Sequence, residues 1–97
     1  MPKGYWIVNN TVTDPDIYED YKAANAAPFA KHGGKFLVRA GTQQGREGTP
    51  LDRSVVIEFP SYAAALACYD DPEYQAAVRI RETAAHGSLI IVEGYEG

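Results

Sequence analysis

Apolar and polar positions alternate over residues 5–12, with Tyr5, Ile7 and Thr11 on one side and Trp6, Val8 and Val12 on the other. That period of two marks a β-strand. Both sides are largely apolar, so the strand is expected to be covered twice and central in its sheet; Asn9 and Asn10 interrupt the pattern near its end. Asp14-Pro15 then opens a helix. The Asp side chain caps a backbone N–H, and proline arrives with its φ already set. From there the period lengthens, with Ile17, Tyr21, Ala24 and Pro28 on one face and Tyr18, Asn25, Phe29 and His32 on a neighbouring stripe. Pro28 lacks an N–H and crowds the preceding turn, which predicts a kink or restart over residues 26–28. Gly33-Gly34 ends the helix.

Residues 35–40 predict a second strand and residues 53–59 a third, separated by a polar, glycine-rich loop. Pro60-Ser61 caps an alanine-rich helix running through residue 69, and Asp71-Pro72 restarts it to about residue 85. Residues 87–95 close the chain as a fourth strand, with Leu89-Ile90-Ile91-Val92 as a buried-type run. The order is βαββαβ. It predicts an α+β, ferredoxin-like antiparallel sheet with two helical regions on one face. Strands one and four are apolar on both sides, so the face without helices needs its own cover. A second copy's sheet supplies it most simply, which predicts a homodimer through the sheet faces.

The chain of 97 residues suits one domain over residues 1–97. Its formal charge is −4, with the basic residues scattered. Nucleic acid and anionic membrane surfaces, which demand clustered Lys and Arg, are not expected partners. No apolar run reaches the ~20 residues that span a bilayer. The first residues lack a signal peptide's apolar core, so the cytoplasm is the expected compartment. Cys68 is the single cysteine, which leaves no intramolecular disulfide and no cysteine-based zinc site. No HxH, HExxH or Asp-rich loop suggests a metal. The glycines of residues 41–48 lack the Lys-Ser/Thr of a phosphate loop, so no cofactor is expected.

Several short segments together resemble domain of unknown function family 1330, within the dimeric α+β barrel superfamily. They are Asp14-Pro15 with Tyr18 and Tyr21, Gly33-Gly34-Lys35-Phe36-Leu37-Val38-Arg39, and Val55-Val56-Ile57-Glu58-Phe59-Pro60-Ser61. Tyr69, Pro72-Glu73-Tyr74-Gln75, Arg81 and Val92-Glu93-Gly94 complete the set. The resemblance runs nearly end to end and implies a homodimer whose two sheets face one another. It brings no reaction and no catalytic residues. Cys68 stands where that family usually has a bulky aromatic, and Asp71 where serine commonly caps. Haem-using members of the superfamily place a histidine on the second helix, and this chain has none over residues 62–85.

Candidate chemistry starts with Arg39, a charge in an otherwise apolar strand. It either builds an anion site or pairs with Glu58 or Glu93, or is simply exposed at a sheet edge. Tyr21, Tyr69 and Tyr74 either line a cleft between helices and sheet or pack at the core's edge. His32, beside Gly33-Gly34, is a candidate acid–base group or a helix-stop residue favoured by the dipole. His86 is expected in the equivalent place after the second helical region. Arg79 and Arg81 lie about 200° apart around a helix, so only one can face the cleft. Arg81 shares the stripe of Tyr74, Ala77 and Val78, and Asn9 is a further ligand candidate. Cys68 reads as a packing residue rather than a nucleophile.

Three functions stand against one another. One is a small-molecule binding domain using a cleft with Arg39, Tyr69 and Asn9. The second, implied by the superfamily, is a cofactor-independent enzyme of monooxygenase or isomerase type acting on a small organic substrate. The third is a purely structural homodimer. An open cleft with Arg39 and tyrosines converging favours the first two, and an Arg39 carboxylate bridge without a cavity favours the third.

Overall fold

The structure, a computed structural model, describes residues 2–97. Its elements are β1 (Gly4–Val12), α1 (Pro15–Lys31), β2 (Lys35–Arg39), β3 (Arg53–Phe59), α2 (Tyr62–Asp70), α3 (Pro72–Arg81) and β4 (Ala85–Glu93). The four strands form one antiparallel sheet in the order β2-β3-β1-β4. With the helices between them, this is the ferredoxin-like α+β arrangement. β1 is interior, as its two apolar sides require.

Strand alternation sorts the side chains into two sets. Trp6, Val55, Ile57 and Phe59 point under the helices and join Tyr18, Phe29, Cys68 and Tyr74 in one core. Trp6 is its keystone, because its ring meets Phe29 and Tyr74 edge-on at centroid distances of 5.2 and 4.9 Å. Its indole N–H donates to the Ala65 carbonyl at 2.9 Å, which ties β1 to α2. A Cβ on Gly4 would sit 2.4 Å from the Ser61 carbonyl oxygen. Only glycine therefore lets the start of α2 approach this closely.

The opposite face carries no helix. Ile7, Val38, Ile90 and Val92 are 43%, 42%, 56% and 40% exposed on it, an apolar surface of the kind that marks an interface.

Three expectations differ from the structure. α1 continues through Pro28 without restarting. The proline ring is fully buried, and its carbonyl accepts from the His32 N–H at 3.1 Å and from the Cys68 thiol at 3.7 Å. Packing offsets the one ladder hydrogen bond that proline forfeits. Secondly, α3 stops at Arg81, earlier than its periodicity suggests. The Ala84 N–H turns back onto the Arg81 carbonyl at 2.8 Å, while the Ala84 carbonyl accepts from Thr13 at 2.7 Å. β4 consequently starts at Ala85, opposite Val12. Thirdly, His86 is a strand residue opposite Thr11, not a helix-stop histidine.

Candidate functional site

A cleft opens between α1, the end of α3 and the helix-covered face of the sheet. Its cavity volume is about 30 Å³, and the rest of the opening is continuous with solvent. Trp6, Phe29, Phe36 and Ile57 wall it, and Arg39, Arg53 and Arg81 enter it from three elements. No Asp or Glu lines it, although acidic residues outnumber basic ones in the chain, 13 to 9.

Each arginine is brought there by a local feature. Arg53 begins β3 and shares the inward alternation of Val55 and Ile57. Arg39 is aligned by an irregularity in β2. Phe36 pairs with Ile57 and Arg39 with Val55, with a register shift between Phe36 and Val38. The extra residue returns Arg39 to the face of Phe36, whose ring lies 4.2 Å beneath its guanidinium. Strict alternation would have put the two on opposite faces. Arg81 ends α3, seven residues and about two turns beyond Tyr74, and so on the same stripe.

Polar groups of the cleft join two short networks, the first centred on Tyr74, which is fully buried and outside the lining. Arg81 Nη1 donates to the Tyr74 hydroxyl at 2.9 Å, and the hydroxyls of Tyr74 and Tyr21 are 2.7 Å apart. Arg53 Nη1 donates to the Tyr18 hydroxyl at 2.8 Å and lies 3.4 Å from Asn10 Oδ1. Among the described residues, none of the three arginines bridges a carboxylate. The Arg–Glu pair considered for Arg39 is therefore not formed, and Arg39 is instead exposed on the edge strand β2. Glu58 instead accepts from the Tyr5 hydroxyl at 3.2 Å on the other face. Burial pushes the Tyr74 phenol well above the usual tyrosine range, and neighbouring Tyr21 adds to this while Arg81 opposes it. Tyr74 stays protonated at any ordinary pH.

Arg39, Tyr21 and Arg81 line the cleft. Tyr69, Asn9 and His32 lie outside its lining. Tyr69 packs beyond Trp6, edge-on at 5.9 Å. Asn9 points to the opposite face, where its amide clasps the loop before β3 by accepting from the Leu51 N–H at 2.8 Å and donating to the Leu51 carbonyl at 3.1 Å. His32 Nε2 is 2.8 Å from Asp71 Oδ2, which Lys31 also reaches at 2.8 Å. Asp71 Oδ1 meanwhile caps α3 through the Glu73 N–H at 2.8 Å. One carboxylate thus joins the end of α1 to the α2–α3 break. The Lys31 and His32 hydrogen bonds, followed by that of Glu73, hold it far below the usual carboxylate range. Burial pushes the Cys68 thiol up to about 12, as Asp71 does further and Lys31 opposes.

Asn10, Tyr18, Asn25 and Arg53 belong to the cleft without having been singled out from the sequence. Their signals were present: Asn10 and Arg53 keep the inward alternation of their strands, and Asn25 interrupts an apolar helical stripe. A second and larger space, with a cavity volume of about 270 Å³, adjoins the first through Asn10 and Arg81, with His86 and Glu82 on its border. Among the described residues, no three His, Cys, Asp or Glu side chains gather as metal ligands. No helix is long and apolar enough to cross a membrane.

The sheet order and helix placement define a ferredoxin-like α+β barrel protein with an arginine-lined cleft. Within that class, the chain belongs to the family described as domain of unknown function (DUF1330), matched over residues 3–95. Among solved structures it is similar to a Rhodopseudomonas palustris protein of unknown function, at 22% identity and a TM-score of 0.77, over 99% of this chain and 85% of that one. It is also similar to SnoaB, a cofactor-independent oxygenase from Streptomyces nogalater, at 17% identity and a TM-score of 0.65, over 100% and 97%. A dimeric Bacteroides fragilis protein of unknown function and ferredoxin-like fold matches at 17% identity and a TM-score of 0.59, over 94% and 95%. At these identities the likeness concerns the fold. No curated protein matches the chain.

Proposed function

We propose that this protein forms a homodimer through the open faces of its sheets and binds a small organic anion in the arginine-lined cleft. The observation that carries the ligand reading is the convergence of Arg39, Arg53 and Arg81 with no carboxylate among the lining residues. Exposed Arg39 and part-buried Arg53 and Arg81 bring positive charge to one opening, which an anion neutralises. Arginine's planar fork suits a carboxylate. The cavity at the arginines is about 30 Å³ and opens through Asn10 and Arg81 onto an adjoining space of about 270 Å³, near the lower end of the ~300–1,000 Å³ range of small-molecule sites.

Binding without turnover is favoured over catalysis. The cleft's own lining holds guanidiniums, amides, phenols and the Lys22 ammonium, and the candidate bases His86 and Glu82 border only the adjoining space. The likeness to SnoaB supports the fold and supplies no residue for a reaction. The dimer reading rests on the apolar open face and on the dimeric Bacteroides fragilis protein of the same fold.

A thermal-shift series tests the ligand reading, using small carboxylic acids and their neutral amides on the protein and on Arg39→Ala. At ten times Kd an acid stabilises by about 1.4 kcal/mol. That raises Tm by roughly 5–10 °C for a chain of this size. The amides leave Tm unchanged, and Arg39→Ala abolishes the response. Equal shifts from acids and amides, or none from any acid, would contradict the reading.

A further inference from the structure

The hydroxyl protons of three tyrosines are directed by what their oxygens already accept. Tyr74 is sealed in the core at 0% exposure, and its oxygen receives from Arg81 at 2.9 Å. Its own O–H needs an acceptor, because a buried hydroxyl proton left without one is costly. The Tyr21 oxygen, 2.7 Å away, is the only acceptor it meets among the described residues. Tyr74 therefore donates to Tyr21, and the Tyr21 proton is left without an acceptor among them. Tyr18 arrives at the same condition by another route. Arg53 Nη1 donates to its oxygen at 2.8 Å and Asn10 Nδ2 at 3.5 Å. The Asn10 amide is held that way round because its Oδ1 faces Arg53, which can only donate. The Tyr18 proton likewise meets no acceptor among the described residues.

Both phenols line the cleft, three residues apart on α1 with ring centroids 5.3 Å apart. At 7% and 6% exposure they are buried apart from that lining, so their O–H groups point into the small cavity. Its volume of about 30 Å³ has room for roughly two waters, at the ~10–15 Å³ that one water needs by this measure. Two acceptor atoms fill such a space, and a carboxylate supplies two with no donor of its own. Each phenol receives from a cation, Tyr18 directly and Tyr21 through Tyr74, and a hydroxyl that accepts in this way donates more strongly. The rest of the ligand has room beyond Asn10 and Arg81, where Val8, Ala85 and Leu89 border the space of about 270 Å³. An apolar cavity of about 150 Å³ holds benzene, so a single ring or a short chain fits there.

Resting on the anion-binding reading above, we infer that Tyr18 and Tyr21 hold the two oxygens of a carboxylate and set the ligand class. That class is a carboxylic acid with a single-ring or short-chain apolar body. The arginines attract anions in general, and the two phenols select the planar two-oxygen group among them. A sulfonate carries the same charge, but its third oxygen exceeds the small cavity.

Calorimetric titration with benzoate and benzenesulfonate, one body with two head groups, separates charge from donor geometry. The unmodified protein binds benzoate at least about tenfold more tightly, the worth of one hydrogen bond to a charged group. Tyr18→Phe and Tyr21→Phe each weaken benzoate about tenfold and keep benzenesulfonate within about threefold, so the preference narrows. Tyr21→Phe also strands the Tyr74 proton and melts lower. Tyr18→Phe strands only Arg53 and Asn10, which border the open cleft, and so decides the matter even where Tyr21→Phe does not fold.

Equal affinity for the two anions, or tighter binding of benzenesulfonate, overturns the inference and leaves anion binding standing. An unchanged preference in Tyr18→Phe does the same. Parallel loss of both ligands in that variant assigns the phenol a structural role and overturns the inference too. Failure of both anions to bind the unmodified protein overturns both readings.

Discussion

The Arg81 guanidinium donates to the Tyr74 hydroxyl at 2.9 Å, and through it α3 is joined to Tyr21 on α1, whose hydroxyl lies 2.7 Å from that of Tyr74. A single phenol therefore satisfies a half-buried cation and a second buried phenol. Tyr74→Phe keeps the ring and strands both partners. It is expected to cost about 1–3 kcal/mol, the price of a buried polar group left unsatisfied, read as a lowered urea midpoint with an unchanged slope.

The raised Tyr74 pKa also sets an alkaline limb. The folded state holds this proton more tightly than the unfolded chain, so the contribution is intact below the unfolded value of about 10. It drains as pH rises beyond that. Ultraviolet titration of the native protein to pH 11 should leave Tyr74 un-ionised, giving fewer titrating phenols than the 7 in the chain. Ionisation of all of them before unfolding would contradict its burial.

Asp71 sets the opposite limb. Its pKa is depressed, chiefly by Lys31 and His32, so its contribution is fully present above the unfolded carboxylate value of about 3.9. It is lost as pH falls below that toward the folded value. Asn also caps helices well, so Asp71→Asn removes the charge and spares the cap. Melting curves at pH 6 and pH 3 should differ less for this variant than for the unmodified protein. An equal difference would place the acid sensitivity elsewhere.

Cys68 is buried, with its thiol pushed up to about 12. A native-state thiol assay at pH 8 should show no reaction on the timescale that labels the urea-unfolded chain completely. Rapid native labelling would mean that the α1–α2 contact through Pro28 opens readily.

The open sheet face carries the dimer proposal. Ile90 is its most exposed large apolar residue, at 56%, and lies opposite Ile7. Light scattering should give the unmodified protein twice the 10.6 kDa chain mass. Ile90→Lys should give the single mass with helix and strand content retained. Persistence of the doubled mass would direct the interface to another surface.

The fold was legible because its signals are local. Asp14-Pro15 and Asp71-Pro72 cap helices where the sequence places them, and β1 shows its interior position in its own alternation. The cleft was less legible because its signals are relational. Asn9 and Asn10 are neighbours, and only the register of β1 decides that Asn10 meets Arg53 while Asn9 clasps the loop before β3. Arg39 reaches the cleft through a shift in β2 that no residue type announces. Tyr69 and Tyr74 lie on successive helices of similar appearance, and both pack against Trp6 outside the cleft's lining. Asp71 was readable as a cap, whereas its bond to His32 spans 39 residues and exists only once α1 is docked. The end of α3 was overrun because Ala84 and Ala85 are good helix formers, yet Ala84 turns to accept from Thr13 and Ala85 pairs with Val12 of β1.

Trp6 makes the central claim directly measurable, since it is the only tryptophan and it walls the cleft. Its fluorescence should change saturably when the protein is titrated with an aromatic carboxylate such as benzoate. It should stay flat with benzylammonium, which matches benzoate in size and carries the opposite charge, and the benzoate response should vanish in Arg39→Ala. A flat trace with benzoate, or matching saturation by the cation, would contradict an anion site built on Arg39, Arg53 and Arg81.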